Sequence, residues 1–92
     1  MAGRYRKIPV TIEAVQWTGE NYEEVREWAW TGSDTEVARL DTEVSQLMVW
    51  NSEELQWINC PLGHWVIRGI KGEFYPCSED VFARTYELLP AE

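Results

Sequence analysis

Apolar and polar residues alternate from the start of the chain. Ile8, Val10, Ile12 and Ala14 share one parity, and Pro9, Thr11 and Glu13 share the other. Period two predicts a half-buried strand, with Pro9 at its start or on a sheet edge because proline cannot donate to a ladder. At Val15 and Trp17 the parity switches, which predicts a bulge or the end of pairing. Thr18-Gly19-Glu20 breaks the strand. The period then changes: Tyr22, Val25, Trp28 and Ala29 recur at helical spacing, with Glu23, Glu24 and Glu27 turned to solvent. Asn21 followed by Glu24 is a variant capping box, and Gly32 is a stop signal, so a helix is predicted over residues 21–31.

The rest of the pattern is strand-like. A weak strand is expected from Glu36 to Leu40 and stronger ones from Val44 to Trp50 and Leu55 to Asn59. Turns fall at Asn51-Ser52-Glu53-Glu54 and Pro61-Leu62-Gly63. Trp65 to Arg68 and Phe74 to Cys77 should pair as a hairpin across Gly69-Ile70-Lys71-Gly72, with one or both glycines at positive φ. Ser78 should cap a single helical turn through Phe82, and Arg84 to Leu89 should close as a strand. With no linker, repeat or low-complexity segment, the 92 residues read as a single α+β domain. Its expected form is a curled, mostly antiparallel sheet of five to six strands carrying one principal helix.

Composition sharpens this picture at two points. Six tryptophans (17, 28, 30, 50, 57 and 65) supply large areas for a small core, most of them as core or half-buried sheet residues. The net charge of −8 is unevenly spread: Arg4, Arg6 and Lys7 open the chain, whereas residues 13–54 hold eleven acidic groups against Arg26 and Arg39. That distribution excludes nucleic-acid binding by phosphate neutralisation. No stretch reaches membrane-spanning length, and the opening residues do not read as a signal peptide. A cytoplasmic protein with reduced thiols is expected, and pairing of Cys60 with Cys77 stays open.

Catalytic and metal chemistry find little support. Cys60, His64 and Cys77 do not give the paired spacing of a structural zinc site, and no third group orients a Cys77–His64 nucleophile pair. Gly69-x-x-Gly72 lacks the following helix that makes glycine loops hold phosphates. No catalytic signature, metal or cofactor is assigned, and the chain is read as not an enzyme. The candidate contact residues gather on the 65–77 hairpin: Trp65, Arg68, Lys71, Glu73 and Tyr75. These could grip a protein partner or a small polar ligand. Alternation puts Trp65 and Ile67 on one face and Val66 and Arg68 on the other, so one face should be core and the other partly exposed.

Two stretches also carry a resemblance. Lys7 through Glu13-Ala14 to Trp17 approximates one signature. The tail Gly63-His64-Trp65, Ile67, Gly69-Ile70-Lys71-Gly72-Glu73, Tyr75-Pro76-Cys77 and Phe82-Ala83-Arg84-Thr85-Tyr86 is the specific part. Together they resemble a family of small phage- and prophage-encoded proteins with no settled biochemical activity. Residues 31–60 lie outside the match, and His64 stands where that family usually has Asp. The resemblance implies a phage accessory protein acting in the bacterial cytoplasm. Two functions follow as expectations: a module docking on a host or phage protein, and a binder that sequesters a nucleotide-type signal, with a homo-oligomer left open.

Overall fold

The computed structural model describes residues 2–30, 36–41 and 46–90. In chain order the elements are β1 (Glu13–Gln16), α1 (Tyr22–Ala29), β2 (Ala38–Asp41), β3 (Gln46–Asn51), β4 (Gln56–Cys60), β5 (Trp65–Arg68), β6 (Phe74–Cys77) and α2 (Glu79–Thr85). The α+β class and the antiparallel pairing agree with the sequence pattern. The strands do not form one curled sheet, however. They divide into two three-stranded antiparallel sheets, ordered β1-β5-β6 and β2-β3-β4. One core joins them: Trp17, Val25, Ala29, Ala38, Leu47, Val49, Cys60, Val66 and Phe74 pack together from both sheets and α1.

The helix forms where the apolar spacing places it and buries Val25 and Ala29, with Trp28 half-buried against the core. It is shorter than residues 21–31: Trp30 is already extended, while the stop signal at Gly32 lies outside the described residues. Its start also differs from a capping box. The Asn21 side chain turns back instead of capping, so that its Oδ1 accepts from the Thr18 N–H and hydroxyl. Its Nδ2 donates to the Gln16 carbonyl at 2.8 Å and to Glu24 Oε1 at 2.8 Å. Asn21 thus ties the helix to the end of β1. The Tyr22 hydroxyl adds a bond to the Ala38 carbonyl of β2.

Three further expectations need correction. The alternating stretch at residues 8–12 is not a strand: pairing begins only at Glu13, because β5 ends at Arg68 opposite it. The predicted bulge exists, but on the partner strand. Gly63 N–H and the His64 carbonyl both bond Trp17, so two residues oppose one, and Gly63 takes the left-handed φ of +85° such a bulge requires. Beyond β6, α2 runs through Thr85 as a full helix of seven residues, and residues 86–90 form no strand. For the strand expected from Val44, pairing is described from Gln46; residues 44–45 lie outside the described residues.

Among the tryptophans, Trp17 is buried, Trp28, Trp50, Trp57 and Trp65 are half-buried, and Trp30 is exposed. In β5 both Val66 and Ile67 are fully buried, so both faces of this strand are covered, rather than one core face and one open face.

Candidate functional site

The β5–β6 hairpin closes as its glycines predict. Gly72 N–H donates to the Gly69 carbonyl at 3.0 Å, Gly69 N–H donates to the Glu73 carbonyl at 2.7 Å, and Gly72 alone sits at positive φ, +81°. This is a three-residue loop with a left-handed final residue, the commonest alternative to a two-residue hairpin. It distributes the five candidate contact residues over three places.

Arg68 lies on the core-side face of the first sheet. Its Nη1 donates to Glu13 Oε1 at 2.7 Å and its Nη2 to the Trp28 carbonyl at 2.5 Å. The guanidinium is 4.8 Å from the Trp28 ring centre and 5.3 Å from that of Phe74. Its donors and its flat faces are thus largely engaged within the fold, where it meets carbonyls of the α1 C-terminal end.

Trp65 and Tyr75 share the opposite face. The Trp65 ring stacks on Phe82 of α2, 4.1 Å between centroids and 6° from parallel, and Phe82 leans on Tyr86 at 5.0 Å. Burial, followed by a hydrogen bond to Tyr86, pushes the Tyr75 hydroxyl up to about 12. Trp65 is therefore the seat of α2, half-buried beneath Phe82.

Lys71 and Glu73 remain at the tip. Glu73 Oε2 accepts from the Lys71 backbone N–H at 3.0 Å, and Lys71 Nζ reaches Glu53 Oε1 of the neighbouring β3–β4 turn at 3.4 Å. The two hairpin tips therefore lie side by side.

This neighbouring hairpin carries a candidate contact surface that sequence reasoning missed. The β2-β3-β4 sheet buries Ala38, Leu47, Val49 and Cys60 on one side. The opposite parity presents Arg39, Met48, Trp50 and Trp57. Trp50 and Trp57 are direct cross-strand partners whose rings meet edge to face at 5.7 Å, and the Arg39 guanidinium sits 4.7 Å from the Trp57 ring centre. Trp, Arg and Met are the residue types enriched at protein interfaces.

Beyond that pair the chain turns through Ser52–Leu55, and Leu55 adopts a left-handed φ of 54° with 73% of its surface exposed. A left-handed conformation costs a non-glycine residue about 1–2 kcal/mol. A large apolar side chain there buries only about a quarter of its surface. At the adjacent tip Ile70 is equally exposed, at 74%. Backbone strain at an exposed apolar residue makes Leu55 a candidate contact residue. Asn51 holds the strained turn: buried, it accepts from Glu54 N–H at 2.7 Å through Oδ1 and donates to the Phe74 carbonyl of β6 at 3.0 Å through Nδ2.

The even spacing of Trp50 and Trp57 about the turn could have revealed their pairing. Nothing in Leu55 itself announces a positive φ.

Both cysteines are free thiols. Burial raises the Cys60 thiol from 9.0 to about 12, and burial and the charge of Asp80 raise Cys77. Neither carries the lowered pKa of a reactive nucleophile. Among the described residues no three His, Cys, Asp or Glu side chains are grouped to hold a metal ion, and no helix is long and apolar enough to cross a membrane. No family model, no curated protein and no solved structure matches the chain.

Proposed function

We propose that the chain is a phage-encoded accessory binding module that docks on a host or phage protein in the bacterial cytoplasm and performs no catalysis. The supporting observation is Leu55, strained and exposed at the end of a hairpin that carries Trp50 and Trp57, with Ile70 exposed at the adjacent tip and Lys71 ion-paired to Glu53. Such a surface combines aromatic anchors near its centre with a charged rim of Glu53, Glu54 and Lys71, the composition of a binding hot spot. The phage setting rests on the resemblance of the two terminal stretches. A ligand-sequestering role, which would use an aromatic platform with Arg68 and Lys71, has less support, because Arg68 is bonded to Glu13 and the Trp28 carbonyl.

The test is a paired affinity capture from bacterial lysate with the wild-type chain, Leu55→Gly and Lys71→Glu, all shown to be folded. A protein captured by the wild type and lost by both variants supports the proposal. Equal capture by all three, or capture of nothing but small molecules, overturns it.

A further inference from the structure

We infer that two copies of this chain associate by antiparallel pairing of residues 6–14 about a two-fold axis at Val10, which joins their first sheets edge to edge. β1 is an edge strand of the β1-β5-β6 sheet. The residues before it alternate like a strand yet pair with nothing among the described residues. Ala2 to Thr11 are exposed, Ile8 at 78% and Val10 at 47%. Lys7 lies over the Tyr86 ring at 5.3 Å, and the rest of this apolar, strand-patterned segment adjoins an open edge that is a template for strand addition.

Backbone parity defines what the edge offers. Trp17 N–H bonds the His64 carbonyl at 2.9 Å, and its own carbonyl accepts from Gly63 at 2.8 Å, so Trp17 faces β5. In an antiparallel ladder alternate residues face alternate sides. Residues 13 and 15 therefore face β5 as well, and the even-numbered ones turn outward. The Gln16 carbonyl is indeed taken from outside by Asn21. Continued outward, the free edge displays the N–H and C=O groups of Ala14, Ile12, Val10 and Ile8. Pro9, the residue without a donor, falls on the other parity and removes no bond from that edge.

The segment is also complementary to itself. With Val10 opposite Val10, Ile8 meets Ile12, Lys7 meets Glu13 and Arg6 meets Ala14, and every apolar side chain lies on one face. About ten backbone hydrogen bonds would close between even-numbered residues. Lys7 of each copy opposite Glu13 of the other makes two opposite-charge pairs, which offset part of the repulsion between two chains of net charge −8. A two-fold pairing presents the same patch twice and closes on itself.

The test is sedimentation equilibrium over a range of protein concentrations, with three variants. Wild type should be a concentration-dependent dimer. Val10→Pro, which deletes the donors at the two-fold axis, should weaken association by about tenfold or more while the circular dichroism spectrum stays that of the wild type, because residue 10 lies outside every strand, every helix and the core cluster. In a Cys77→Ser background, Val10→Cys should cross-link to itself under mild oxidation, and Thr11→Cys, which faces Pro9 of the other copy, should not. A wild type that stays monomeric at the highest accessible concentration overturns the inference. So does a dimer that survives Val10→Pro, or cross-linking at residue 11 in preference to residue 10.

Discussion

Arg68 donates to the Trp28 carbonyl while its guanidinium lies over the Trp28 ring, so one side chain fastens the end of α1 to β5 and, through Glu13, to β1. Arg68→Ala should lower stability by about 2 kcal/mol, through lost charge-assisted hydrogen bonds and lost ring contact. Arg68→Lys should recover little of it, since an ammonium cannot satisfy both acceptors and stack at once. Urea denaturation midpoints of the three proteins decide this. A variant as stable as wild type would return Arg68 to the set of surface contact residues.

Leu55 offers the opposite sign. Leu55→Gly relieves the left-handed strain at φ 54° and removes an exposed apolar side chain, so stability should rise by about 1 kcal/mol. Leu55→Ala, which keeps Cβ and the strain, should change it little. A thermal melt showing Leu55→Gly less stable than Leu55→Ala would mean that the fold itself uses this side chain.

Helix α2 buries no residue fully and is seated by Phe82 on Trp65. Phe82→Ala should cost about 1 kcal/mol and release α2 locally while leaving both sheets formed. Amide exchange should accelerate over residues 79–86 and not over β3 or β5. Uniform acceleration along the whole chain would show that α2 belongs to the cooperative core.

Alkaline titration follows from the raised acids. Cys60 and Tyr75 keep their protons in the folded state to about 12, against ordinary values of 9.0 and 10.0. Between those values the unfolded chain loses protons that the folded chain retains. Their contribution is thus complete below about pH 9 and declines as pH rises toward 12. The denaturation midpoint should be flat from neutrality to about pH 9 and then fall, and Cys60→Ala should lessen the fall over its first unit. A midpoint that rises across this range would contradict the burial of both groups.

The sequence pattern located β3 through β6 to within a residue or two, because Val, Trp and Ile alternate there between Gly, Pro and Asn turns. It failed at the two ends for different reasons. Residues 8–12 have a strand's pattern, but pattern does not supply a partner, and β5 stops at Arg68. Residues 79–85 have a helix's capping sequence, but the aromatic face that holds them, Trp65, is distant in sequence. The contact residues on the 65–77 hairpin were chosen for their chemistry. Tertiary packing assigned Arg68, Trp65 and Tyr75 to internal tasks and left Lys71 at the surface, with Glu73 half-buried beside it. Leu55 stayed hidden because a backbone angle leaves no trace in the identity of a leucine.

Asn51 has a mechanical consequence. One end of its buried amide grips the β3–β4 turn and the other grips the backbone of β6. A load on the β3–β4 turn therefore reaches β6 through two hydrogen bonds of one side chain. Force or binding at the surface is transmitted to both sheets together, and the hairpin cannot peel away without exposing the unsatisfied amide beneath it.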